Sequence, residues 1–492
     1  MKRFINVRIP VLLTVALAAG IAAEYLFCLY GVSQFYFIAI VPVAAIIFIV
    51  CAVTKRSRLC LATVVLCAVF IVLGALNCGL RLNGFSKSEL TDGEIYNISA
   101  TVCDKGENAR GKYIILKSVT ADGERKHGKI IVYIFYEHGD ICDIGYKINF
   151  NSKISKNETF INGKLNYYAY DDIRYSCGVY GGLTAEYGFD LFGVIRTRIR
   201  DTLFDNLDKD IAPVVYGMLT GNIQYIDKDL QDGFRFGGIA HMFAISGLHI
   251  GIVYGILSCV FKKAGINKYL RTALCVIPVF LYAGICGFTL SSVRAAVMCT
   301  VGAAAKLLNR KYDGLNSLGL ASLIILTINP FSLFNAGFQL SVSAVAGILT
   351  LKLPRKAPNA IKIPLAAQAA TAPVLFSSFG YVSGAGLLLN ILVIPLLSAV
   401  FVILFLGTAI AIILPITAVI LQYIVIPLQA IVSFFISSGL ESALIYSDIG
   451  LWTPFYYLAL FIASDKINLK TYQRIIAECF LVSAICFSFI LV

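Results

Sequence analysis

Residues 237–255 read Gly-Gly-Ile-Ala-His-Met-Phe-Ala-Ile-Ser-Gly-Leu-His-Ile-Gly-Ile-Val-Tyr-Gly, which puts two histidines, a serine and five glycines in a stretch apolar enough to enter a bilayer. Such groups are expensive in hydrocarbon and persist where they face protein or a water-filled cavity. His241, Ser246, Gly247 and His249 are therefore candidates to line a passage. Gly247, Gly251 and Gly255 recur every four residues, a stripe on which another helix is expected to pack closely. Ser246 with His249 also raises a nucleophile and base. They stand less than one turn apart with no acidic partner near and no Gly-x-Ser-x-Gly elbow, so an intramembrane hydrolase is the weaker reading.

A second constellation follows in Gly284-Ile-Cys-Gly-Phe-Thr-Leu-Ser-Ser-Val-Arg-Ala-Ala296. Arg294 at mid-helix costs about 2.5–3.5 kcal/mol on insertion scales. Ala283, Gly287, Ser291, Ala295 and Cys299 repeat every four residues, a narrow face for close packing. A helix broken near Gly287–Ser292 is expected, which adds Gly287, Ser291, Ser292 and Arg294 to the channel-lining candidates. Arg294 either points inward or snorkels to an interface, and the residues alone leave both open. Gln339, Ser341 and Ser343 share one side of an apolar segment and predict interior hydrogen bonding. Asn390 with Pro395, and Gln368 with Pro373, predict two further interrupted helices.

Nothing predicts a metal or a cofactor. His127 and His138 have no nearby ligand set, and the 14 cysteines include no Cys-x-x-Cys pair. Cys103, Cys142 and Cys177 fall in a polar region where a disulfide is permitted. A Cys103–Cys142 bond would join two strands, but three cysteines leave the pairing open.

The elements that must position these residues are membrane helices. Hydrophobic residues make up 58% of the 492-residue chain and charged residues 14%, against about 25% charge in soluble domains. Apolar runs at 9–30, 35–53 and 59–80 give three N-terminal spans in a first region, 1–80. No cleavage site follows the first run, so it is expected to be a retained helix. Lys2, Arg3 and Arg8, then Lys55, Arg56 and Arg58, flank these spans, which predicts that residues 81–188 lie outside. That region carries 14 basic and 14 acidic residues. Its segments 94–103, 111–119, 129–136 and 145–154 alternate apolar with polar between turn residues, as in a small β-barrel or sandwich. An OB-like barrel fits the length and suits single-stranded nucleic acid. Tyr113, Tyr133, Phe135 and Tyr136 are the candidates for base stacking, although aromatic residues favour strands in any case.

Residues 189–210 predict an amphipathic interfacial helix, with Leu191, Ile195, Ile199, Leu203 and Leu207 on one face. Broken apolar segments fill a transmembrane core at 211–400, and further helices occupy 401–492. The fold class is thus a polytopic α-helical membrane protein with an inserted small extracytoplasmic β domain. The formal charge of +13 collects around the membrane segments and reflects orientation rather than attraction to nucleic acid.

Gly217-Met-Leu-Thr-Gly-Asn222, His241-Met-Phe-Ala-Ile-Ser-Gly-Leu-His249, Gly287-Phe-Thr-Leu-Ser-Ser-Val-Arg294 and Asn329-Pro330 with Gly337-Phe-Gln-Leu-Ser341 follow in order, then Ala372-Pro373 through Asn390 to Pro395. Together they resemble the signature of the ComEC/Rec2 competence family. The family's Asn-Pro-Gly-x-Phe-Asp-Tyr element is similar to Asn162-Gly-Lys-Leu-Asn166-Tyr167 here, without the proline and with asparagine for aspartate. The resemblance implies a channel in the bacterial cytoplasmic membrane that admits single-stranded DNA during natural transformation, its walls including Ser246, His249, Ser291 and Arg294. It implies as partners the lipid bilayer, the DNA strand, a DNA receptor and a cytoplasmic motor, with self-association left open. Many family members add a metallo-β-lactamase-like domain with a His-x-His-x-Asp-His motif. The four histidines here form no such motif, so a separate nuclease is expected. A transporter of another solute on the same scaffold, or a paralogue without a part in DNA uptake, is the alternative.

Overall fold

The computed structural model describes residues 8–30, 58–134, 144–351, 358–437 and 444–446, with scattered positions between 453 and 460. Positions 88, 109, 162–163, 180–181, 187 and 189 within these ranges are not among the described residues. The expected spans at 35–53 and 475–492, together with Phe135, Tyr136 and Cys142, lie outside them. The chain forms two compact units. One comprises Leu12–Arg198 with Leu323–Asn335, the other Met1–Val11, Ile199–Ser322 and Ala336–Val492.

In the first unit α1 (Ile9–Leu29) and α2 (Arg58–Ser86) meet backbone to backbone. A Cβ on Gly20 would sit 2.0 Å from the Ile71 carbonyl oxygen, and one on Gly74 2.2 Å from that of Leu17. Only glycine admits this approach. Beyond α2 come β1 (Ile95–Asn108), β2 (Gly111–Ala121), β3 (Glu124–Arg125), β4 (Lys129–Ile134), β5 (Lys147–Lys153), β6 (Ser155–Lys156), the β7–β8 hairpin (Phe160–Ile161, Lys164–Leu165), the short α3 (Tyr167–Tyr170), β9 (Ile173–Val179) and β10 (Thr184–Glu186).

The main sheet runs β10-β5-β1-β2-β4-β9-β6, antiparallel except for the β4–β9 pair. A single residue, Ile154, separates β5 from β6; β5 pairs with β1 and β6 with β9. One continuous segment therefore joins both sides of the strand path, and the sheet curls on itself. Alternation sends every second side chain inward, so Ile98, Leu116, Ile130, Ile148 and Ile154 are wholly buried. The fifth long strand, β9, was not delimited from sequence, although Tyr175, Cys177 and Val179 alternate into the main core along it.

The remaining helices are α4 (Leu191–Phe204), α5 (Ala212–Thr220), α6 (Lys228–Phe236), α7 (Gly247–Lys263), α8 (Lys268–Ile285), α9 (Leu290–Leu307), α10 (Gly314–Ile328), α11 (Ala336–Thr350), α12 (Asn359–Phe379), α13 (Gly384–Ala411) and α14 (Ala418–Ser437). Seven described helices, or parts of them, are long and apolar enough to cross a membrane, as a multi-pass helical membrane protein requires.

Two expectations fail here. Pro373 and Pro395 do not interrupt their helices; α12 and α13 run through them. Proline removes the N–H that would bond the carbonyl four residues earlier. For Pro373 that carbonyl belongs to Ala369, and Tyr456 Oη donates to it at 2.8 Å while Tyr457 Oη donates to Ala370 O at 3.2 Å. A neighbouring side chain thus satisfies the freed group, which is how membrane helices tolerate proline.

Candidate functional site

Within the apolar stretch 237–255 the helix starts only at Gly247, and that late start positions the site. Residues Ala240–Met242 form one 3-10 turn, and α7 begins after Ser246, whose backbone is extended. Ser246 Oγ accepts the Leu248 N–H at 3.2 Å, and His249 Nδ1 accepts the Ser246 N–H at 3.1 Å. This is a reciprocal capping box in which histidine replaces the usual acidic or amide residue. Because Nδ1 spends its lone pair on a backbone N–H, the neutral ring carries its proton on Nε2. His249 is buried, its ring centroid 4.3 Å from that of Phe401. The Ser246–His249 pair thus secures a helix start, and the serine oxygen is 3.5 Å from the imidazole nitrogen.

His241 lies on the 3-10 turn, and its ring bonds the Gly238 backbone. Gly238 adopts φ 69°, and a Cβ there would come within 2.9 Å of Gly386 Cα. The approach fixes this turn against the start of α13.

Between α8 and α9, Gly287 (φ 75°) and Phe288 (φ 50°) are consecutive left-handed residues, which reverses the chain at the expected break. Thr289 caps α9 by accepting the Ser292 N–H at 3.4 Å, and Ser292 Oγ donates to Thr289 O at 2.9 Å. Ser292, a lining candidate from sequence, is wholly buried in this cap.

Arg294 occupies the second turn of α9 and is 4% exposed, so it points inward and does not snorkel. Its Nη1 donates to the Ser341 carbonyl on α11, and Ser341 Oγ is 3.1 Å from Ser291 Oγ. Its Nη2 is 3.8 Å from the position a Cβ on Gly247 would take. Its Nε is buried without an acceptor, and no carboxylate reaches the guanidinium among the described residues. The structure thereby gathers Ser246, Gly247 and His249 of α7, Ser291 and Arg294 of α9, and Ser341 of α11. Gln339 enters only through its carbonyl, which accepts from Ser343 Oγ at 2.7 Å. Asn390 on α13 has a buried Oδ1 with no partner among the described residues and no bond to this group.

The glycine stripe does not behave as expected. A Cβ on Gly251 or Gly255 would meet nothing within 4 Å among the described residues. No described helix packs there, and α7 presents an open face that begins at Arg294.

In the β domain, Tyr133 is buried and its Oη lies 2.8 Å from Tyr168 Oη. The Tyr113 ring meets it edge-on at 6.3 Å, and the Arg110 guanidinium stands 5.9 Å from its centroid. Burial, and then the hydroxyl bond shared with Tyr133, push the Tyr168 phenol up to about 12. The faces of Tyr133 are thus occupied, whereas Tyr113 is partly exposed. Cys103 is a free, half-buried thiol, and burial pushes the Cys177 thiol up to about 12.

Sequence reading passed over Thr289, Tyr456 and Glu24. Glu24 is the one acidic residue in 1–80; it is buried on α1 beside Gly79 and accepts from Cys28 Sγ at 3.7 Å. That isolated charge was the available signal.

Residues 218–464 match the model of a family described as Competence protein. ComE operon protein 3 of Bacillus subtilis is 28% identical over 194 residues, 38% of this chain and 25% of the relative. Recombination protein 2 of Haemophilus influenzae is 27% identical over 136 residues, 26% of this chain and 17% of the relative. The uncharacterized protein YcaI of Escherichia coli is 24% identical over 264 residues, 48% of this chain and 35% of the relative. The chain thus spans a half or less of the curated relatives it matches. No solved structure matches. The matched half of the chain holds Ser246, His249, Arg294 and Ser341, and on that match the chain belongs to the Competence protein family.

Proposed function

We propose that this protein acts in DNA uptake, forming a passage for a single strand through the bacterial cytoplasmic membrane. The observation that carries the reading is a buried Arg294, without a counter-charge among the described residues, at the head of a glycine face of α7 on which no described residue packs. A polyanion crossing roughly 30 Å of hydrocarbon needs hydrated, weakly attractive walls. Glycines leave room, serines hydrate, and one cation attracts without trapping. The names of two relatives, a ComE operon protein and a recombination protein, support the same reading.

Orientation follows from charge. The α7–α8 and α9–α10 connections carry Lys262, Lys263, Lys268, Arg271, Lys306, Arg310 and Lys311, which reads as the cytoplasmic end. Arg8 pairs with Asp313 at 2.8 Å, joining the start of α1 to that end. The Arg294 group then faces outward. Residues 81–188 read as extracytoplasmic by the same rule, and an OB-like barrel there is supported by the parallel β4–β9 pair and the shared β5–β6 segment.

The test is uptake of labelled DNA, scored as transformation frequency, in a deletion strain carrying wild type or Arg294→Ala. Wild type should restore uptake and the variant should not, with both present in the membrane. Unchanged transformation in the deletion strain, under conditions where the cell is competent, would assign the scaffold another cargo.

A further inference from the structure

We infer that Arg294 and the N-terminus of α7 together form a binding site for one phosphate-type oxyanion, the phosphodiester of a polynucleotide. The inference deepens the uptake reading and rests on it for the source of the anion, but not for the site itself.

Two independent features converge. The first turn of a helix exposes N–H groups and the positive end of its dipole, a setting that favours anions. Helix α7 is 17 residues long and starts at Gly247; Ser246 Oγ already accepts the Leu248 N–H, so the start offers an anion its dipole more than a set of free N–H groups. The second feature is the guanidinium. Arg294 is 4% exposed, holds one hydrogen bond to the Ser341 carbonyl, and leaves Nε buried without an acceptor. Its Nη2 approaches Gly247 within van der Waals range of an added Cβ. A buried cation beside a helix N-terminus, with no carboxylate reaching it among the described residues, is electrostatically incomplete. An oxyanion completes it, because guanidinium and phosphate match in geometry and charge. The Ser291 and Ser341 hydroxyls bond each other at 3.1 Å, which leaves the pair one O–H to donate beside the same guanidinium.

The geometry also supplies an internal substitute for the ligand. Among the described residues, a Cβ on Gly247 meets only Ala295 Cβ and Arg294 Nη2, each at 3.8 Å. Gly247→Asp therefore fits, puts a carboxylate in a favourable first-turn position, and pairs with Arg294 in place of the anion.

The experiment follows thermal unfolding of the full chain in phosphatidylcholine nanodiscs, titrated with sodium phosphate or oligothymidylate against chloride at equal ionic strength. Wild type should show a saturable, phosphate-specific rise in Tm. Arg294→Gln should lose that rise. Gly247→Asp should lose it too, while starting from a higher Tm, which excludes simple misfolding as the cause. An equal rise in all three proteins, or none in wild type, overturns the site. In phosphatidylglycerol nanodiscs, a persisting oligothymidylate response supports the polynucleotide source; its abolition hands the site to lipid headgroups and overturns that source. Gly247→Asp that loses the phosphate response yet transforms normally keeps the anion site and removes it from the uptake path.

Discussion

The β domain and the helical unit treat polar groups in opposite ways. In the β domain charges are locally compensated: Arg174 pairs with Asp172 at 3.0 Å, Lys117 with Asp190 at 3.3 Å, and the Glu89 carboxylate accepts the His127 N–H at 3.1 Å. Its interior is a continuous aliphatic core. In the helical unit Arg8 and Asp313 are paired in the same way, but Arg294 is left without a counter-charge among the described residues and α7 is left without a packed neighbour at Gly251 and Gly255. A structure built only for stability would fill that face and neutralise that cation. The contrast separates residues that hold the fold from residues that await something else.

Opposite substitutions sharpen it. Removing atoms should hurt the β domain most. Leu116 is wholly buried between sheet neighbours, so Leu116→Ala should destabilise that domain by about 2–5 kcal/mol through lost burial and the cavity left behind. Denaturant unfolding of the full chain, followed by near-UV circular dichroism, reads this. A loss below 1 kcal/mol would mean the sheet interior collapses to fill the space and is not a rigid core.

Adding atoms should hurt the helical unit, and only its function. Gly251→Leu adds a side chain where a Cβ meets no described residue and improves helix propensity by roughly 0.5–1 kcal/mol, so folding should be unharmed. If the open face carries DNA, transformation should fall about tenfold or more, equivalent to about 1.4 kcal/mol. Unchanged transformation with normal membrane levels would break the contrast, leaving the glycine face as mere surface.

The sequence made some of this legible and hid the rest for physical reasons. Strand alternation is local, so β1, β2, β4 and β5 emerged near their observed bounds. Arg294, Ser291 and Ser341 stood out because polar groups at membrane depth are costly wherever they point. Their convergence was not legible, since it depends on α11 meeting α9 across 47 residues of chain. Ser246 and His249 stood out as polar groups in an apolar stretch, but their capping role was hidden because the capping-box signature is written with Glu or Gln at the position His249 fills. Pro373 read as a break because its remedy, the Tyr456 hydroxyl, comes from 87 residues away. Tyr133 read as a base platform because exposure, which separates a platform from a core aromatic, is a tertiary property.

The smallest expected effect tests whether β-domain charge is compensated locally. Glu89 Oε2 accepts the His127 N–H at 3.1 Å, and Oε1 lies 3.0 Å from His127 Nδ1. That backbone bond, and then the imidazole beside it, hold the Glu89 carboxyl below its ordinary range. A carboxyl whose folded pKa is lowered contributes stability above its unfolded value of about 4.3 and loses it as pH falls through the folded pKa. Glu89→Gln keeps an acceptor for the His127 N–H but removes the charge. Wild type and variant should therefore differ in stability near neutral pH and converge as the solution is acidified below about pH 4. The difference should be a few tenths of a kcal/mol, because the pair is solvent-exposed, and should shrink with salt. A salt-insensitive difference that persists at acid pH would mean that Glu89 acts by packing rather than charge. The compensation seen at the other β-domain pairs would then have to be argued pair by pair, and the contrast with Arg294 would rest on burial alone.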